Sequence, residues 1–171
     1  MMSGRIWMES EPGRGTTFHF TAKVGRAVPS VAAVAAGSDI PAAAAPLRIL
    51  LTDDVPMNQM VAARLLEKQG HLVRVASSGR EALAALEREG FDVALLDVEM
   101  PDMDGFETTA AIRAREKATG NHLPIVATTA HAMAGDRERC LKAGMDGYLS
   151  KPIDAARMAQ EIRRVVESAN S

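Results

Sequence analysis

Six side chains of the right types for phosphoryl chemistry stand at the ends of apolar runs. Asp53 and Asp54 follow "ILLT", Asp97 closes "VALL", Thr128 and Thr129 close "IVA", and Lys151 follows "GYLS" just before Pro152. Taken singly, each has an ordinary explanation. An Asp at a strand end is a turn former or a helix cap, a Thr is a β-former, and a Lys is surface charge. Their joint placement suggests chemistry. Like charges about 4 Å apart repel by roughly 4 kcal/mol at an effective dielectric of about 20. Gathered carboxylates therefore need raised pKa values or a hard cation between them. Mg²⁺ suits one or two carboxylates completed by water and a phosphate oxygen. A lysine ammonium and a threonine hydroxyl beside such a set complete the donors that a phosphoryl group requires.

The elements that must bring these residues together are legible from residue 47 onward. Short apolar runs ("LRILLT", "LVRVA", "DVALLD", "PIVATTA", "GYLSK") alternate with helical patterns over 57–69, 78–89, 105–117, 132–143 and 154–168. Strands alternating with helices predict an α/β fold, a doubly wound five-stranded parallel sheet with helices on both faces. In such sheets ligands sit beyond the carboxyl ends of the strands, where strand order reverses. Asp53, Asp54, Asp97, Thr129 and Lys151 all belong to that end. Local signals agree. Pro56 suits a first helical turn, Ser78 and Glu81 have capping-box spacing, and Gly70, Gly90 and Gly144 fall where helices stop. Val55 is a poor N-cap.

Two other segments precede this region. Residues 1–24 read as two alternating strands, "GRIWMES" and "TTFHFTAKV", around the turn "EPGRG". Residues 25–46 are rich in Ala, Pro and Gly and read as a linker. The chain of 171 residues has 47% hydrophobic residues, enough for a core, and a formal net charge of −2, which leaves no basic footprint for nucleic acid. The single cysteine, Cys140, excludes an internal disulfide and fits a reducing cytoplasm. No run is long enough to span a bilayer, so no direct membrane contact is expected. His19, His71, His122 and His131 show no metal-ligand spacing.

Residues 47–168 resemble the receiver domain of two-component response regulators through "ILLTDD", "LLDVEMPDMDGFE", "PIVATTAHAM" and "GYLSKPI". "PMNQMVA" is similar to receivers attached to hybrid histidine kinases. The resemblance implies a flavodoxin-like strand order 2-1-3-4-5 and Mg²⁺-dependent phosphorelay signalling. Asp97 takes a phosphoryl group from phosphohistidine and passes it on, or the domain docks to a partner. Asp53, Asp54 and Asp97, with the main-chain carbonyl of Glu99, hold the metal. Thr129 and Lys151 contact phosphoryl oxygens, and Tyr148 is the switch that turns inward as Thr129 moves. Glu99 and His131 tune phosphoryl lifetime, and the Lys151–Pro152 bond is cis. The implied partners are a histidine kinase or a histidine phosphotransfer protein, with docking expected at the Tyr148 face beside the fourth and fifth helices.

Residues 1–24 resemble the end of a histidine-kinase ATP-binding domain. Gly13, Gly15, Thr16 and Thr17 match its last glycine-rich loop. Two strands cannot enclose ATP, so this part is expected to be a non-autonomous remnant and the chain no independent kinase. A truncated gene or a mis-called start would produce such a chain. A phosphatase resembling haloacid dehalogenases needs Asp-x-Asp on the first strand, which "TDDVP" does not supply. A receiver that no longer takes phosphate typically lacks one of the residues matched by Asp53, Asp54, Asp97, Thr129 and Lys151, and all five are present here.

Overall fold

The computed structural model describes residues 4–11, 15–22, 46–130 and 135–169. The chain divides into two compact units, Met1–Ala42 and Ala43–Ser171. In the first, β1 (Gly4–Glu11) and β2 (Gly15–Ala22) pair antiparallel, with Trp7 opposite His19. Those two rings stack at 5.1 Å. The expected pair of strands is therefore present. Gly13 and residues 25–45 of the expected linker lie outside the described residues.

The second unit contains β3 (Arg48–Thr52), α1 (Pro56–Lys68), β4 (Leu72–Ala76), α2 (Gly79–Arg88), β5 (Val93–Asp97) and α3 (Gly105–Thr119). It continues through β6 (Ile125–Thr129), α4 (Asp136–Lys142), β7 (Gly147–Ser150) and α5 (Ala155–Ala169). The five strands are parallel and ordered β4-β3-β5-β6-β7, the predicted flavodoxin-like order. Alternation explains why the central strands read as unbroken apolar runs. Ile49, Leu51, Val93, Leu95 and Val126 face α1 and α5, where Leu66, Met158, Ile162 and Val165 meet them. Leu50, Ala94, Leu96, Ile125 and Ala127 face the other way, against Ala82, Ala85, Ile112 and Cys140. Both faces are dry, so both parities must be apolar. Each fully buried Leu, Ile or Val contributes about 1.5–3 kcal/mol.

One helix end runs past expectation. Gly120 (φ 73°) closes α3 in a left-handed turn, two residues beyond the expected end, and donates its N–H to the Glu116 carbonyl. Gly135 (φ 111°) is the N-cap of α4, and residues 132–134 of the expected helix lie outside the described residues. Ser78 caps α2 as expected, but Glu81 reaches back to the N–H of Ser77 rather than of Ser78. The complete capping box belongs to α3, between Asp104 and Glu107.

Candidate functional site

Topology brings the acids together. From β3 the chain passes to β4 on one side, then returns to place β5 on the other side of β3. Strand order reverses there. Thr52 of β3 is in register with Leu96 of β5, so the next residues, Asp53 and Asp97, emerge side by side. Asp54 completes the set. One carboxylate oxygen from each of Asp53, Asp54 and Asp97 lies within 4.8 Å of the others. Asp53 and Asp97 are each only 3% exposed, and Asp54 is half-buried.

The two buried acids share a bonding plan. Each uses Oδ1 to close its own loop: Asp53 Oδ1 accepts from the Val55 N–H (2.9 Å) and Asp97 Oδ1 from the Glu99 N–H (3.3 Å). Each turns Oδ2 to one ammonium, Lys151 Nζ, at 2.7 Å from Asp53 and 2.6 Å from Asp97. The ordinary role of a strand-end Asp, holding a turn, is thus performed by the same carboxylates that form the cluster. Burial pushes the Asp97 carboxyl above its ordinary range, against the opposing pull of the Lys151 hydrogen bond and charge. Burial draws the Lys151 ammonium down, but its bonds to Asp53 and Asp97 outweigh this and hold it above its usual value. Three carboxylates against one ammonium leave an excess of negative charge among hard oxygen donors, which fits a small divalent cation.

Lys151 is brought in by β7, whose Ser150 is in register with Thr129 of β6. The Lys151 N–H donates to the Thr129 carbonyl at 2.7 Å, and the Lys151–Pro152 peptide is cis as expected. Thr129 is buried and lines a cleft of about 500 Å³ with Glu99, Phe106, Arg139 and Cys140. Gly105 is needed for the loop after β5 to close: a Cβ there would stand 2.5 Å from the Asp97 carbonyl oxygen. Tyr148 is half-buried on β7, and burial raises its hydroxyl pKa, with Asp136 adding to the effect. His131 lies outside the described residues. Gly15 opens β2 in the other unit.

Two residues at this site were not assigned from sequence. Asn58 Nδ2 donates to Asp53 Oδ1 (3.1 Å), and Gln59 Nε2 donates to the Asp53 carbonyl (2.6 Å) and toward Ser77 Oγ (3.3 Å). Both sit in the first turn of α1. Two amides just after an acidic pair are the only hint in the sequence.

The chain matches the response regulator receiver domain family over residues 49–163. It is 46% identical to Sensor protein GacS of Pseudomonas syringae pv. syringae over 116 residues, 67% of this chain and 13% of that protein. It is 36% identical to Sensor histidine kinase AruS of Pseudomonas aeruginosa over 165 residues, 96% of this chain and 16% of that protein. The chain thus spans a small part of either relative. Among solved structures, it is similar to the receiver domain of sensor histidine kinase PA1611 from Pseudomonas aeruginosa PAO1. The two are 39% identical with a TM-score of 0.64, covering 72% of this chain and 99% of that one. That structure has a magnesium ion coordinated in its active-site cleft. The chemotaxis protein CheY4 of Vibrio cholerae is 30% identical, with a TM-score of 0.65 over 71% of this chain and 99% of that one. On the matched strands, loops and acidic cluster, the chain belongs to the response regulator receiver domain family.

Proposed function

We propose that Asp97 is a phosphoacceptor and that the domain relays a phosphoryl group received from phosphohistidine. The observation that carries this is the sharing of one Lys151 ammonium by Asp53 and Asp97 at the mouth of three carboxylates. An Asp97 oxygen attacks phosphorus, forming the P–O bond of an acyl phosphate as the P–N bond to the donor imidazole breaks. The electron pair returns to the imidazole nitrogen, which takes a proton from solvent. Asp53, Asp54, Asp97 and the Glu99 carbonyl would hold Mg²⁺, which when bound neutralises phosphoryl oxygens. Lys151 and the Thr129 hydroxyl meet the remaining oxygens. Tyr148, on the strand that leads into Lys151, is the switch residue of this reading. Glu99 and His131, two residues beyond Asp97 and Thr129, tune the lifetime of the acyl phosphate.

The partner is a histidine kinase or a histidine phosphotransfer protein, met in the cytoplasm, and no nucleic acid or membrane takes part. Among the described residues, no helix is long and apolar enough to cross a membrane. Exposed Val55, Met57, Met60 and Val61 form an apolar border next to Asp53 and Asp54, which supports entry of the donor over the start of α1. The Tyr148 face with α4 and α5 is then the surface that reads phosphorylation. Residues 1–24 are the closing strands of a kinase ATP-binding domain, a part too small to enclose ATP by itself. The AruS match, extending over 96% of this chain, supports that origin.

The test is intact-mass spectrometry after incubation with Mg²⁺ and acetyl phosphate, beside Asp97→Asn. A phosphoryl-sized gain in the wild type alone, abolished by chelation, is expected. No gain in a folded, Mg²⁺-binding protein, with acetyl phosphate or with a phosphorylated histidine partner, would leave a docking domain instead.

A further inference from the structure

A side chain carries the β3–β4 ladder one step past its last strand residues. Thr52 is in register with Ala76, and the Asp53 N–H donates to the Ala76 carbonyl at 3.3 Å. Bonds in a parallel ladder are evenly spaced, so the next donor, to the Asp53 carbonyl, would be the Ser78 N–H. β4 has ended at Ala76, however, and Ser78 is already the N-cap of α2. Gln59 takes that place. Its Nε2 donates to the Asp53 carbonyl at 2.6 Å and reaches Ser77 Oγ at 3.3 Å. Ser77 is the residue that would stand opposite Asp53 if the register ran on. The carbonyl only accepts, so the Gln59 amide must present nitrogen to it. Asp53 is 3% exposed, and a carbonyl in such a position needs a partner.

We propose that Gln59 is a positioning residue for cation binding, acting through the Asp53–Asp54 peptide on the Asp54 carboxylate. The inference rests on the reading above that the acid cluster binds Mg²⁺ for phosphoryl uptake. The Asp53 carbonyl and the Asp54 N–H share one planar peptide unit. A donor that holds this carbonyl therefore sets the direction in which the chain delivers Asp54. The Asp53 carboxylate needs no such help, because the Val55 N–H, Asn58 Nδ2 and Lys151 Nζ already meet it. Mg²⁺ demands near-ideal octahedral geometry, so a small rotation of the peptide that carries Asp54 is felt in affinity. The donor also comes from a rigid element. Pro56 opens α1, and the Gln59 N–H bonds the Val55 carbonyl at 3.1 Å, which fixes residue 59 in the first turn. A group held on a helix is placed more accurately than one held on a loop.

Isothermal titration of the full chain with MgCl₂ tests this, using wild type, Gln59→Met, Gln59→Leu and Leu65→Ala, with urea midpoints measured in chelator. Both Gln59 variants remove the donor and keep an apolar stem. Leu65 packs on the core from the same helix, so Leu65→Ala weakens α1 without touching the loop. Losing a residue that orients a metal ligand typically costs about 10–100-fold in affinity. Both Gln59 variants are expected to bind Mg²⁺ about tenfold more weakly. Acyl-phosphate formation from acetyl phosphate should then need about tenfold more Mg²⁺ to reach half its limiting rate, with the limiting rate itself close to wild type. Mg²⁺ affinity within twofold of wild type in both variants overturns the proposal while leaving the metal site in place. Equal weakening in Leu65→Ala also overturns it, because loss of helix stability would then suffice. A folded wild-type protein that binds no Mg²⁺ overturns the underlying reading and the inference with it.

Discussion

Lys151 neutralises two carboxylates from a position between them, 2.7 Å from Asp53 and 2.6 Å from Asp97. A cation that used the same Oδ2 atoms would compete with it. Two effects of Lys151→Met follow. Without metal, the two buried acids lose their shared partner, and breaking such a pair costs up to about 3–5 kcal/mol. With metal, the competitor is gone. Lys151→Met is expected to lower the urea midpoint in chelator, to bind Mg²⁺ about tenfold more tightly by calorimetry, and to regain much of its stability at millimolar Mg²⁺. A variant as stable as wild type in chelator, with unchanged Mg²⁺ affinity, would contradict this account of the pair. The carboxylates were legible in the sequence because each closes an apolar run. Asn58 was not, since an amide in a first helical turn is ordinary surface composition until the fold shows what it touches.

The last strand and helix meet through another carboxylate. Glu161 on α5 accepts from the Arg164 side chain and from the Tyr148 N–H. Gly147 leaves room for it: a Cβ there would stand 2.8 Å from Glu161 Oε1. The Arg164 hydrogen bond, helped by the Tyr148 N–H and opposed by burial, holds the Glu161 carboxyl below its ordinary 4.5. A carboxyl whose folded pKa is depressed stabilises the fold above its unfolded value, and that stabilisation is lost as pH falls through the folded value. Glu161→Gln is therefore expected to be less stable than wild type at pH 7. The gap should narrow below about pH 4.5 and close once the wild-type carboxyl is protonated, as read by denaturation midpoints from pH 7 to pH 3. A gap independent of pH would assign the loss to packing. Helix ends show the same division between pattern and fold. Gly70 and Gly144 stop α1 and α4 as expected, with φ of 90° and 94°. Gly135, with φ 111°, stands just before the first turn of α4, a boundary that apolar spacing does not mark.

Across the receiver unit, Arg113 joins three segments that are far apart in sequence. Its guanidinium reaches the Gly144 carbonyl (2.8 Å), the Leu123 carbonyl (2.9 Å), Glu116 (2.6 Å) and Asp146 (2.7 Å). Glu116 and Asp146 in turn accept the N–H groups of Leu123 and Ile125, at the entrance to β6. Arg113→Ala leaves two partly buried carboxylates without this partner and is expected to cost about 2–4 kcal/mol, somewhat less than a fully dry pair. Arg113→Lys should recover little of it, since an ammonium cannot reproduce the fork. Loss of less than about 0.5 kcal/mol in chemical denaturation would show that these contacts are dispensable. On the proposed reading, phosphoryl uptake at Asp97 should survive, because Leu123 and Ile125 stand at the start of β6 whereas the acid cluster stands beyond the strand ends.

The order of elements, the parallel sheet, the two apolar parities of each central strand and the end of the sheet that carries chemistry all follow from local sequence. They depend on periodicity, on capping and turn residues, and on the polarity of single side chains. Only the tertiary structure decided which donor each carboxylate oxygen of Asp53 and Asp97 meets, and that one lysine serves both. Those facts depend on contacts between residues as far apart as Asp53 and Lys151, set by strand register and ångström-scale side-chain geometry that no local pattern encodes.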